Sequence, residues 1–285
     1  MIQKIPILLY HRVGQRDGSF MDEYTVSPEI FAEQMDTIER YGWRPTKLEN
    51  VLGTKAFTTP KRSLVITFDD GFASNREHAW PILQRYAFPS ATFIVTDCLG
   101  SYNRWDGPPR ACYPLLSAKD LAAADPTLMS FHSHTATHPD LTVLTHDLES
   151  LRRELDHSRR FLAEQGAFGQ LFAYPFGSWN WEVLEHVRDA GYVGACTSME
   201  GLNSAWTNPF LLRRIEIREC DVGRRFWLKI HLGRNIFQWP PNRPPEVSML
   251  GRWLRRYFRS DKGIHARNDS QHSSFRGNRQ SGSPG

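Results

Sequence analysis

Two short segments carry residue types suited to hydrolysis at a metal ion. Thr67-Phe68-Asp69-Asp70-Gly71 places two adjacent carboxylates at the end of an apolar run. Neighbouring carboxylates at a buried strand terminus are costly unless a cation stands beside them. The plainer alternative is an Asp-Asp-Gly surface turn. His134-Thr135-Ala136-Thr137-His138 places two imidazoles four residues apart. They can chelate one ion from a helical turn or a tight loop, although the extra His132 leaves a merely His-rich loop as an alternative. One Asp with the two His makes a facial triad with open positions for a water and a substrate oxygen. The other Asp is then available as a general base. On ligand type Zn²⁺ is the expected ion, while Co²⁺, Ni²⁺, Fe²⁺ or Mn²⁺ would suit the same donors.

The elements that must position these residues alternate in kind. Apolar runs at 7–11, 64–68, 91–95, 128–131, 171–174 and 192–196 read as buried strands, and 211–217 alternates in strand fashion. Helical patterns fall between them. One starts at Ser27-Pro28 and ends at Gly42, and others cover about 77–86, a stretch capped by Ser117, 147–165 and 181–190. Repeated strand–helix units imply parallel strands joined by right-handed crossovers. About seven such units predict an irregular (β/α)7-type barrel, with an open doubly wound sheet as the alternative. In a barrel the strand C-termini line the active face.

Length and composition agree with one α/β domain: 285 residues, 40% of them hydrophobic. The net charge of +4 is unevenly spread. From 223 to 285 there are thirteen Lys and Arg against three Asp and Glu, which leaves a mildly acidic body with a basic tail. We expect residues 1–250 to form the domain and 251–285 to form a basic amphipathic segment followed by a disordered tail. In 251–259 Trp253, Leu254, Tyr257 and Phe258 share one helical face and the arginines take the other, a pattern suited to an anionic membrane surface or to packing on the barrel. Cys98, Cys112, Cys196 and Cys220 lack metal or disulfide spacing and read as buried, reduced thiols. The apolar run at 7–10 is too short for a signal sequence or a membrane span, which predicts a cytoplasmic protein, peripheral to the inner face of the membrane. No nucleic-acid motif accompanies the basic tail.

The two segments resemble the first and second motifs of the polysaccharide deacetylases (the NodB homology domain, carbohydrate esterase family 4). Ala173-Tyr174-Pro175-Phe176-Gly177 is similar to the third motif. The resemblance implies a NodB-like barrel, one divalent metal and an N-acetylated saccharide substrate. It also implies Asp69 as base, Asp70, His134 and His138 as ligands, and the Phe176 N–H in the oxyanion site, with Tyr174 of the same motif on the substrate side. The family's usual motif arginine, which orients the base, is replaced here by Ala173. Arg214 is the candidate substitute, unless it is a structural ion-pair partner. The family's late Leu-x-His strand is also missing, and His231 reads as helical. Leu9-Tyr10-His11 has the right form at the other end of the chain, as in members similar to the circularly permuted poly-N-acetylglucosamine deacetylases. First and last barrel strands are neighbours, so His11 is expected as general acid.

Trp105, in Asn103-Arg104-Trp105-Asp106, is placed to stack on a sugar ring or to pack its loop; Asp106 has no role that we can derive. The expected reaction is metal-dependent removal of N-acetyl groups from an amino-sugar glycan or its precursor. The alternatives are an amide hydrolase of the same fold acting on a small molecule, or an inactive saccharide-binding module.

Overall fold

The structure, a computed structural model, describes residues 3–52, 58–105, 112–166 and 169–235. These belong to one compact unit, Met1–Trp239. The boundary expected at 250, the 251–259 segment and Asp106 lie outside the described residues.

In chain order the strands are β1 (Ile7–Tyr10), β2 (Arg12–Val13), β3 (Thr25–Val26), β4 (Arg44–Pro45), β5 (Ser63–Phe68), β6 (Ser90–Ile94), β7 (Met129–Ser133), β8 (Leu171–Ala173), β9 (Gly194–Cys196) and β10 (Ile215–Glu216). The helices are α1 (Pro28–Arg40), α2 (Ser74–Tyr86), α3 (Ala118–Ala123), α4 (Leu148–Glu164), α5 (Trp181–Asp189) and α6 (Gly223–Leu232). The main sheet runs β10-β1-β5-β6-β7-β8-β9, with β4 added beside β5. Its ladders are parallel throughout. A further parallel bridge joins Cys196, at the end of β9, to Leu212, just before β10. The two edges therefore meet, and the sheet is a curled seven-stave barrel rather than an open doubly wound sheet. Among the described residues no helix is long and apolar enough to cross a membrane.

Alternation along the strands produces two layers. In β5, Leu64, Ile66 and Phe68 face the helices and join Phe31, Met35 and Leu83. Val65 instead faces the lumen, with Ile7, Ala91, Phe93, Leu171 and Cys196. All six β5 residues are buried, as a parallel strand covered on both sides requires. A third cluster packs α4 and α5 on β8 through Leu151, Leu155, Phe172 and Val183.

Helix starts follow local chemistry. Ser117 and Asp120 form a capping box at α3. Ser27 precedes Pro28 as expected, but its hydroxyl does not cap α1; it donates to Glu219 at 2.9 Å instead. The expected strand at 211–217 shortens to two residues, because Leu212 pairs with β9 before Ile215 pairs with β1. The thiol expectation is corrected in part. Cys196 is buried and none of the four is disulfide-bonded, but Cys112 and Cys220 are exposed because they sit in loops.

Candidate metal and hydrolytic site

β5 and β7 deliver their polar residues to the same end of the barrel. Asp69 and Asp70 follow the last residue of β5, and His134 follows the last residue of β7. The chain then turns back in a tight loop in which Thr135 and His138 both take positive φ. Of the six non-glycine residues with positive φ among those described, four belong here: Asp70, Thr135, His138 and Phe176. Such backbone is strained outside glycine and persists only where the surroundings hold it.

Glu154 of α4 supplies much of that hold. Its carboxylate accepts from the N–H of Ala136 at 2.9 Å, the N–H of Thr137 at 2.8 Å and the hydroxyl of Thr137 at 2.6 Å. The Thr135 hydroxyl accepts from the N–H of His138 at 2.9 Å.

The three expected ligands converge. His138 Nε2 lies 3.2 Å from His134 Nε2, and Asp70 Oδ1 lies 3.4 Å and 3.5 Å from His138 and His134. Donors bonded at about 2.1 Å to one tetrahedral or octahedral ion stand roughly 3 to 3.4 Å apart, so the triangle fits a cation. All three side chains are buried. His134 Nδ1 lies 2.8 Å from the Ala173 carbonyl and must donate to it, which turns Nε2 towards the triangle as an acceptor. Burial pushes the His134 imidazole down to about 4, so it is neutral and able to ligate. Burial pushes Asp70 up, but its hydrogen bond to His138 and the electrostatic pull of the nearby histidine rings outweigh that, and its carboxyl is held at about 2. Nδ1 of His138 is buried with no hydrogen-bond partner.

Asp69 is engaged differently. Arg214 donates from Nη1 to Oδ1 at 2.6 Å and from Nη2 to Oδ2 at 2.7 Å, and its Nε donates to the Thr197 carbonyl at 2.9 Å. Arg214 is among the largest fully buried side chains. Burial pushes the Asp69 carboxyl up; the charge of Arg214, the electrostatic pull of the nearby His134 ring and the Arg214 hydrogen bonds together hold it below its ordinary value. Asp69 is therefore an ionised acceptor next to the triad. His11 follows β1, is half-buried, and lies close enough to both carboxylates to act on them electrostatically; its ring packs edge-on to Tyr24.

Two aromatic residues wall the triad. Trp105 stacks on His138 at a centroid distance of 4.5 Å, and Phe176 meets the same ring edge-on at 4.6 Å. Tyr174, expected on the substrate side, is placed elsewhere. It is fully buried, packs on Phe172 and donates to the Phe210 carbonyl, because the residue after Ala173 points from the lumen into the helical layer. His132, the extra histidine of the sequence, is buried in the lumen 3.2 Å from Glu49 and takes no part in the triad. Glu154 was missed by sequence reasoning. Its signal was an acidic residue inside the buried stripe Leu151, Leu155, Ser158 and Leu162 of α4.

A parallel barrel with a buried Asp-His-His cluster at its strand C-termini and an ionised carboxylate beside it is an arrangement suited to hydrolysis. Comparison with known proteins narrows it. Residues 56–195 match the model of the polysaccharide deacetylase family. A poly-beta-1,6-N-acetyl-D-glucosamine N-deacetylase of Staphylococcus aureus is 26% identical over 234 residues, 74% of this chain and 78% of that protein. Among solved structures, the Streptococcus pyogenes deacetylase PplD in complex with acetate superposes with a TM-score of 0.69 at 24% identity, covering 81% of this chain and 99% of that one. IcaB from Ammonifex degensii gives 0.66 at 22% identity, covering 77% and 94%. Residues 56–195 thus carry a polysaccharide deacetylase domain.

Proposed function

We propose that this chain removes N-acetyl groups from the amino sugars of a poly-N-acetylglucosamine-type glycan by hydrolysis, releasing acetate. The observation that carries this reading is the convergence of Asp70, His134 and His138 next to an Asp69 locked by Arg214. Support for the substrate class comes from the relative named above.

Asp70, His134 and His138 would hold one divalent cation, for which Zn²⁺ suits two imidazoles and a carboxylate. Bound there, the ion supplies Lewis acidity to the attacking water and the acetyl carbonyl. The remaining work belongs to the chain. Asp69, held ionised, takes a proton from the attacking water. Arg214 fixes both carboxylate oxygens, so the base loses no orientation entropy during the step. The Phe176 N–H is the backbone donor assigned to the oxyanion. His11, on the opposite side of Asp69 from the His loop, gives the proton that the departing amine requires. The carbon–nitrogen bond breaks, water's hydroxyl goes to the acyl carbon, and the products are acetate and a free amine. Trp105 and Phe176 keep water from the His138 side.

The test is acetate release from N-acetylglucosamine oligomers, with metal analysis, for wild type and Asp69→Asn. Metal near one equivalent in both, with acetate from the wild type alone, supports the reading. Metal without acetate from any N-acetyl sugar turns the assignment towards the amide-hydrolase or binding-module alternatives. Failure to bind any divalent ion would sink the site itself.

A further inference from the structure

The loop that follows β8 leaves the site in an unusual way. Phe176 touches the ligand His138. Three residues on, Trp179 packs against the cluster that contains Leu141 and Leu151. Trp181 opens α5 and meets Trp179 edge-on, with ring centroids 5.5 Å apart at 89°. Trp181 is nevertheless 67% exposed. An indole left in water at the first turn of a helix does nothing for the core, while its neighbour Trp179 holds it in place. Trp181 is five positions after Phe176, so their backbones lie within about 18 Å of each other.

The other side of the His loop carries a matching feature. Trp105 stacks on His138, and Tyr102, three residues earlier on the same loop, is 49% exposed. Both loops follow strands, β6 and β8, that flank β7 in the sheet. Aromatic residues thus stand on both sides of the metal loop along one end of the barrel. Trp206 is a useful contrast. It is 75% exposed, but it lies three residues past Asn203, which pairs with Ile5 ahead of β1, at the other end of the staves.

We propose that Trp179 and Trp181 form a saccharide-binding ledge, the floor of a subsite for sugar rings beyond the one being deacetylated. The proposal rests on the deacetylase reading above and adds which residues hold the glycan chain beyond the reacting sugar. The face of a pyranose presents C–H groups that pack on an indole, and its hydroxyls stay in water, which suits an exposed ring anchored from behind. Edge-on support from Trp179 fixes the Trp181 plane, so little rotamer entropy is lost when a sugar binds.

The experiment compares kcat/KM for acetate release from N-acetylglucosamine dimers and hexamers, in wild type, Trp181→Ala, Trp181→Tyr and Trp206→Ala. In the wild type the hexamer-to-dimer ratio exceeds one. In Trp181→Ala that ratio falls about tenfold, the size of one lost aromatic contact. Trp181→Tyr restores part of it, and Trp206→Ala keeps the wild-type ratio. A ratio unchanged in Trp181→Ala overturns the ledge, and so does an equal fall in Trp206→Ala. Hexamer binding is read separately by titrating intrinsic fluorescence in an Asp69→Asn background. If the wild type releases no acetate from any oligomer, loss of hexamer binding with Trp181→Ala supports the ledge while the deacetylase reading fails. Acetate release with hexamer binding indifferent to Trp181 does the reverse.

Discussion

Arg214, just before β10, and Asp69, just after β5, meet over the intervening β1, joined by two hydrogen bonds of 2.6 and 2.7 Å. Both side chains are buried, so each charge is compensated almost entirely by the other. Breaking a buried pair from one side leaves an uncompensated charge and costs about 3–5 kcal/mol. Arg214→Met is therefore expected to lower stability by an amount in that range, measured by urea unfolding. Arg214→Lys keeps the charge but not the two-point grip. It should fold, bind metal with unchanged affinity and lose roughly tenfold to a hundredfold in kcat/KM, since the base is no longer oriented. Wild-type kcat/KM in Arg214→Lys would refute the orienting role.

The same pair makes stability depend on pH. The folded Asp69 carboxyl lies below its ordinary value: burial raises it, and the charge of Arg214, the nearby His134 and the Arg214 hydrogen bonds together more than offset that. A carboxyl depressed on folding stabilises the protein above the unfolded value of about 4, and that contribution drains away as pH falls towards the folded value. For metal-free protein, Tm should therefore fall as pH drops below about 4, and Asp69→Asn should flatten that limb relative to wild type. Parallel Tm curves for the two proteins would contradict the assignment.

Metal removal gives a third check. With a free ion at a hundred times its dissociation constant, binding stabilises the folded state by about 2.7 kcal/mol. Zn²⁺ should raise Tm in wild type and in Asp69→Asn. The rise should vanish in His134→Ala and His138→Ala, whose rings supply two corners of the triangle. A full rise in either histidine variant would remove that residue from the ligand set.

Glu154 touches no ligand side chain, yet it pins the backbone between the two histidines with three hydrogen bonds. Glu154→Ala leaves two N–H groups unpaired, each costing about 1–3 kcal/mol where buried. The expected result is a 10- to 100-fold loss of metal affinity, roughly that of losing an outer support, with Glu154→Gln intermediate. Direct titration of the ion measures it, and unchanged affinity in Glu154→Ala would show that the loop holds its shape alone.

Gly177 tests the third motif. Its φ of +67 is left-handed, and a Cβ there would meet Ser198 Oγ at 2.6 Å and Cβ at 2.7 Å. Gly177→Ala must move the turn that carries Phe176, at a cost of about 1–3 kcal/mol. Thermal unfolding should show that loss, and kcat/KM should fall with it; a variant with wild-type Tm would mean that the turn relaxes freely.

Much of this architecture was legible in the chain. The all-apolar run of β5, the Ser-Pro start of α1, the Leu stripe of α4 and the alternation of strand with helix specify a parallel α/β domain, because burial on two faces and period 3.6 are local properties of residue order. The Asp-Asp-Gly and His-x-x-x-His spacings likewise pointed to the residues that the structure brings together as a candidate metal site. Sequence order could not say which way Tyr174 turns. One residue beyond Ala173, alternation sends its ring into the helical layer, and only the position where β8 ends decides this. Nor could it reveal Glu154, seventeen residues from Thr137, since the contact exists only once α4 is laid across the His loop. Arg214 was a name in a late strand, with an orienting role and a structural pairing equally open. The sequence by itself determined the elements and the reactive side chains, through local hydrophobic periodicity and motif spacing. Only the tertiary structure decided which charges share one dry lumen, because closure of β9 onto the segment before β10 is what carries Arg214 to Asp69.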